Sequence, residues 1–332
     1  MSDAARAAMI EGMDHWANPS SPHAEGRAAR AALEGARGRI KSALEWDGHV
    51  LFTSGASEAI AIALTRAKAE HIVTSPVEHD AVLRVVGGAE RLPIDDSGRV
   101  TDSISGALHA IQHVNNETGV VQPIAELAAQ IHVAGGWLFC DCAQSAGKLD
   151  LPLAADMIAV SAHKFGGPPG IGALLVRDLA LLRATGGQEQ GYRGGTENVP
   201  AALAMAAALE SGRGWMTGAA RLRAVLDDAI RAAGGAVVAQ DAQRIATIAS
   251  YRMPGVSARA QLIRFDMAGI AVSAGAACSS GTLKTSPVLK GMGWSDTAAD
   301  EVIRVSFGPR TSEEELRAFI AAWQDISGTR ST

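Results

Sequence analysis

Aromatic side chains are scarce, at 4% of 332 residues, so the core has to be built from Ala, Val, Leu and Ile. Cysteine is scarcer still. Three thiols cannot make a disulfide framework, and the odd count points to free cysteines in a reducing compartment. Only 12 prolines stand beside 36 glycines, and 47% of the chain is hydrophobic, which excludes collagen, mucin stalks and disordered tails. No basic block occurs, and 30 basic against 35 acidic side chains give a net charge of −5. Neither nucleic acid nor an anionic membrane is therefore expected as the main partner. Long hydrophobic runs are missing too. The longest, residues 199–209, is Ala-rich, opens at a Val-Pro pair and is far too short to span a bilayer. The N-terminus carries Asp3 early and lacks the apolar core of a secretory signal, so a cytoplasmic protein is expected.

The length suggests two units at roughly 150 residues each. Short β-rich runs alternate with helical stretches, the signature of a mostly parallel sheet covered by helices. Strands are expected at 50–52, 71–73, 110–114, 137–140, 157–160 and 173–176, with helices at 24–44 and 124–134. Beyond about residue 214 the character changes. A helix at 221–233, strands at Val237 and Ile248, a helix at 258–267 and a strand at 302–307 read as a smaller α+β unit. Ser312 followed by Glu313, Glu314 and Glu315 marks the start of a last helix, with a hydroxyl cap and an acidic first turn. The expected division is an N-terminal segment 1–15 packing with the small domain, a large cofactor-binding domain 16–216 and a small domain 217–332.

Several motifs fail. Gly170-Ile171-Gly172 lacks the third glycine of a dinucleotide fingerprint, and Gly147-Lys148 is followed by Leu149 rather than Ser or Thr. His109 and His113 are four apart, but Ala110 stands where a zincin needs Glu, and no metal is expected. Cys140 and Cys142 read as core and strand-end thiols without partners.

One constellation carries chemistry. Ser161-Ala162-His163-Lys164 closes a hydrophobic strand and runs into a glycine-rich turn. An ordinary lysine would snorkel from such a place. Asp141, at the end of the preceding apolar strand, changes the reading. Parallel neighbouring strands would bring this acid and this amine to one sheet edge, where ligands of α/β sheets bind. Pyridoxal phosphate needs such a pair, Lys for its aldehyde and Asp for its ring nitrogen. The run from Thr53 through Ser54, Gly55, Ala56 and Ser57 into a helix adds an anion handle.

These residues resemble the NifS/IscS-type cysteine desulfurases of the class V aminotransferase family. The likeness runs from about residue 3 to 323 and includes Asn18 to His23, Thr53 to Glu58, Glu78-His79 and Asn115 to Gly119. Further blocks are Asp141 to Ser145, Ser161 to Lys164, Arg193 to Thr196, Ala277 to Ser280 and Ile303-Arg304. The resemblance implies a fold-type I pyridoxal phosphate transferase, with a mostly parallel sheet in the large domain and a smaller α+β C-terminal domain. It implies that Lys164 holds the cofactor and moves the substrate's α-proton, and that Asp141 keeps the ring nitrogen protonated. Gln144 bonds the ring oxygen, His79 stacks on the ring, and Asn116 contacts cofactor or substrate. Ala56, Ser57, Ser161 and His163 take the phosphate, helped by Thr196 from a partner subunit of a homodimer. Arg304 clamps the substrate carboxylate. Cys278, in a segment of small and polar residues, accepts sulfur from L-cysteine as a persulfide. A sulfur-acceptor protein then receives it for iron–sulfur clusters or thio-cofactors. Selenocysteine lyase would use the same residues, and a truncated homologue that binds pyridoxal phosphate or a partner with little chemistry is a third reading. The family's opening Leu-Asp-x-x-Ala-Thr-Thr-Pro strand has no counterpart here. The expectation is either a start placed downstream of the true one or a lost segment. Ala59 stands where the family often has Asn or Asp.

Overall fold

A computed structural model describes residues 1–277 and 283–329. The chain opens with two helices, α1 (Asp3–Asp14) and α2 (Ala24–Ala43), and enters the first strand, β1 (His49–Thr53). α3 (Ala56–Arg66), β2 (Ile72–Thr74), α4 (Asp80–Val85), β3 (Glu90–Arg91) and β4 (Leu108–Gln112) follow. The unit continues through α5 (Ile124–Val133), β5 (Trp137–Asp141), β6 (Met157–Ser161) and β7 (Gly172–Val176) to α6 (Val199–Glu210). Each strand expected from β-branched and apolar runs is present within two residues of its expected limits.

Seven strands form one sheet in the order β1-β7-β6-β5-β4-β2-β3. β2 to β6 run parallel with β3, while β7 is antiparallel to both β6 and β1. Side chains alternate across it. Leu138 and Cys140 of β5 pack on the face covered by α2, α5 and α6, and Phe139 packs on the face covered by α3 and α4. Covered on both faces, the strands can be apolar throughout, which is why they read as continuous runs rather than alternations. Thr53, Thr74, Gln112, Asp141 and Ser161 all end strands at the same sheet edge.

α7 (Met216–Ala232) begins the second unit, with β8 (Ala236–Val237), β9 (Ile248–Arg252), α8 (Ala258–Met267) and β10 (Ser273–Ala274). The short β11 (Ala276–Ala277) and β12 (Leu283–Lys284) pair with each other. α9 (Pro287–Gly291), α10 (Asp296–Ala299), β13 (Val302–Ser306) and α11 (Glu313–Ser327) complete it. An antiparallel sheet, β10-β13-β9-β8, carries a separate core in which Phe265 of α8 stacks on Phe319 of α11, 4.8 Å between centroids. α11 starts in a full capping box, Ser312 with Glu315.

Two expectations are corrected. Segment 1–15 does not pack mainly with the small unit. α1 lies on α6, where small residues permit close approach: Ala5 nests with Ala204 and Ala208, and Gly12 faces Pro200 so closely that a Cβ would come 2.8 Å from its Cα. One ion pair, Asp3 with Arg310, reaches toward the small unit. Cys140 and Cys142 are core residues but not partnerless. Two positions apart at the end of β5, they point the same way, and their sulfurs lie 3.7 Å apart.

Candidate active site

Asp141 ends β5, and three residues after β6 comes Lys164, closing a short 3₁₀ turn. The two strands are parallel neighbours, with Asp141 opposite Ala159. Asp141 is buried, and its Oδ1 accepts from the Ala143 N–H at 2.9 Å. Burial pushes its carboxyl above the usual range, while that N–H and the nearby His79 and Lys164 pull it back. Lys164 is exposed, yet its ammonium sits below the ordinary lysine range. Desolvation is the main cause and the Arg304 guanidinium adds to it, with Asp141 opposing both. Acid, amine and guanidinium therefore share one electrostatic neighbourhood.

The anion handle lies beside them. α3 starts after Gly55, whose φ of +153° suits only glycine, and no side chain caps this helix. A Cβ on Gly55 would come 3.5 Å from Ser161 Oγ, so the helix N-terminus and the end of β6 face each other. Ser161 Oγ lies 2.9 Å from His163 Nδ1. Ala56 and Ser57 form the first turn of α3. Uncapped N–H groups, the helix dipole and the Ser161–His163 pair suit a phosphate dianion, and Asp141 suits a protonated aromatic nitrogen. The residues present fit a pyridoxal phosphate.

Further side chains converge. His79 caps α4, its Nδ1 accepting from the Ala81 N–H at 3.1 Å, so its proton sits on Nε2. Gln144 lies in the turn after Asp141, where its carbonyl accepts from Lys148 Nζ at 3.0 Å. Arg304, in β13, donates through Nη1 to the Asn116 carbonyl at 2.9 Å, which joins the small sheet to the large unit at the site. Thr196 lies exposed beyond Arg193 and makes no hydrogen bond among the described residues. Cys278 lies outside the described residues.

Some contributors had no assigned role from sequence. Glu117 is buried, accepts from Ser286 Oγ, and holds the Arg304 charge in place against desolvation. Glu58 links the Ser54 N–H to Arg193 Nε, tying the anion handle to the 193–196 loop. Lys148 is a second amine, this one buried, pulled down to about 8 by burial and then by Lys164. Glu58 to Arg193 and Glu117 to Ser286 are separated by more than 130 residues, so no local spacing announces them.

With this geometry in place, comparison with known proteins is decisive. The Aminotransferase class-V family profile matches residues 4–319. A cysteine desulfurase of Cereibacter sphaeroides is 36% identical, over 91% of this chain and 86% of the relative. Cysteine desulfurase IscS 1 of Archaeoglobus fulgidus is 31% identical, over 91% and 87%. Among solved structures, a NifS-like protein of Rickettsia africae superposes with a TM-score of 0.90 at 26% identity, covering 99% of this chain and 96% of that one. SspA in complex with cysteine superposes at 0.81 and 28% identity, over 94% and 97%. The chain belongs to the class V aminotransferase family and stands with its cysteine desulfurases.

Proposed function

We propose that the chain is a pyridoxal phosphate-dependent cysteine desulfurase that converts L-cysteine to L-alanine and passes the sulfur onward. The observation that carries the reading is Asp141 and Lys164 at the ends of neighbouring strands, beside the uncapped start of α3. When bound, pyridoxal phosphate supplies an electron sink for bond changes at the substrate's α-carbon. Everything else falls to the chain. Ala56, Ser57, Ser161 and His163 hold the phosphate, and Thr196 of a second subunit completes that grip in a homodimer. Asp141 keeps the proton on the ring nitrogen, and Gln144 donates to the ring oxygen. Lys164 would hold the cofactor and would carry a proton on Nζ to and from the α-carbon. Burial and the Arg304 charge lower its affinity for protons, which favours giving one up. His79, with Nδ1 committed to Ala81, presents only Nε2–H for proton exchange. Arg304 and Asn116 orient the substrate carboxylate. Cys278 takes the sulfur as a persulfide and delivers it to an acceptor protein for iron–sulfur clusters or thio-cofactors. The enzyme is read as cytoplasmic, and the large and small domains as 16–216 and 217–332.

The test is incubation with L-cysteine and a thiol reductant, following alanine and sulfide. Equal yields of both are expected. Lys164→Ala should abolish both, and Cys278→Ser should keep the cofactor's yellow colour while stopping sulfide release. Wild-type turnover by the Cys278→Ser variant would remove Cys278 from the reaction, and no alanine from the wild type would overturn the reading.

A further inference from the structure

Glu78 immediately precedes His79 in the turn from β2 to α4 and is only 2% exposed. Its Oε1 accepts from Ser75 Oγ at 2.7 Å, whereas its Oε2, also buried, has no hydrogen-bond partner among the described residues. No ion pair among the described residues reaches it. Gln112 Nε2 and Asn115 Nδ2 both donate to the Val77 carbonyl, at 2.7 and 3.0 Å, and neither bonds Glu78. The titratable groups facing it from β5 are Asp141 and Cys140, an acid and a thiol, and its chain neighbour His79 has Nδ1 tied to Ala81. A carboxylate buried with a bare oxygen and a second carboxyl nearby is disfavoured at neutral pH, because desolvation and like-charge repulsion act together.

We propose that Glu78 works as a neutral carboxylic acid, a positioning residue that leaves the negative charge of the Glu78–Asp141 pair to Asp141. The role rests on the desulfurase reading; the protonation state does not. Two carboxyls with opposite assignments are kept apart by their surroundings. Asp141 has an N–H donor, with the His79 ring and the Lys164 amine nearby. Burial raises both carboxyls, but at Asp141 the Ala143 N–H, His79 and Lys164 pull the other way, whereas Glu78 is pushed up to about 8 with Asp141 adding to the rise and Ser75 and the Gln112 backbone offsetting only part of it. The neutral acid spares the ring nitrogen a doubled negative field, and its bond with Ser75 pins the turn that aims His79.

Infrared spectroscopy of the cofactor-loaded protein, titrated from about pH 6 to about pH 10, tests this directly. The wild type should show the carbonyl stretch of a protonated carboxyl that fades with a midpoint near 8 and shifts on labelling glutamate with ¹³C. Glu78→Gln should lose the band. Asp141→Asn should keep it, with the midpoint moved down because a neighbouring charge is gone. Absence of the band from the wild type, no isotope shift, or its loss in Asp141→Asn rather than Glu78→Gln would overturn the proposal. The isotope shift needs no variant to fold. The cysteine assay on the same sample separates the two claims: a protein with the Glu78 band that makes no alanine contradicts the desulfurase reading and supports the proton placement.

Discussion

Asp141 and Glu78 show how much of the chemistry is set by single side chains. Both are buried carboxyls, yet one has an N–H donor and the Lys164 amine nearby while the other has a hydroxyl and a bare oxygen. Linkage gives a separate check. Glu78 is raised on folding from its ordinary 4.5 to about 8. Its contribution to stability is therefore fully present below pH 4.5 and is lost as pH climbs through 8, at up to about 1.4 kcal/mol per unit. Glu78→Gln has no such proton to lose. Urea unfolding across that window should show wild-type stability falling more steeply than the variant's; parallel slopes would contradict a buried neutral acid. Asp141 and Lys164 were legible in the sequence because each ends an apolar run. Glu78 was not, because the fact that matters, its nearness to Asp141, comes from the pairing of β2, β4 and β5 rather than from spacing.

At the scale of elements, β7 is squeezed between β1 and β6 directly below the anion handle. A Cβ on Gly172 would stand 2.4 Å from the Val160 carbonyl and 2.7 Å from Gly55 Cα. Backbone, not a flexible side chain, fills the space. Gly172→Ala should therefore cost about 2–3 kcal/mol and loosen Gly55, so that cofactor washes out more readily. Denaturant midpoints and bound pyridoxal phosphate after dialysis measure both effects, and unchanged values would mean that the strands can part freely. Strand positions were legible from continuous Val, Ile, Leu and Ala runs, because each strand is covered on both faces. Helix starts were legible where a cap is local, as at Ser312. The seat of α1 was not, since Ala5 and Gly12 carry no direction in sequence and find their partners on α6 only in space.

Across the whole molecule, the site is a joint. The 115–121 turn of the large unit is stitched to the small one by Ile245 N–H to the Gly119 carbonyl, Val121 N–H to the Gln243 carbonyl and Ser250 Oγ to the Glu117 carbonyl. Arg304 crosses the same seam to Asn116. The large unit thus offers the acid, the amine and the anion handle, and the small unit offers the carboxylate clamp. Two amines compete for the central role, Lys164 and the buried Lys148. Borohydride fixation of pyridoxal phosphate in the purified protein, followed by peptide mass spectrometry, discriminates between them. The added mass should fall on Lys164 alone; a label on Lys148, or none on either, would contradict the account at its centre.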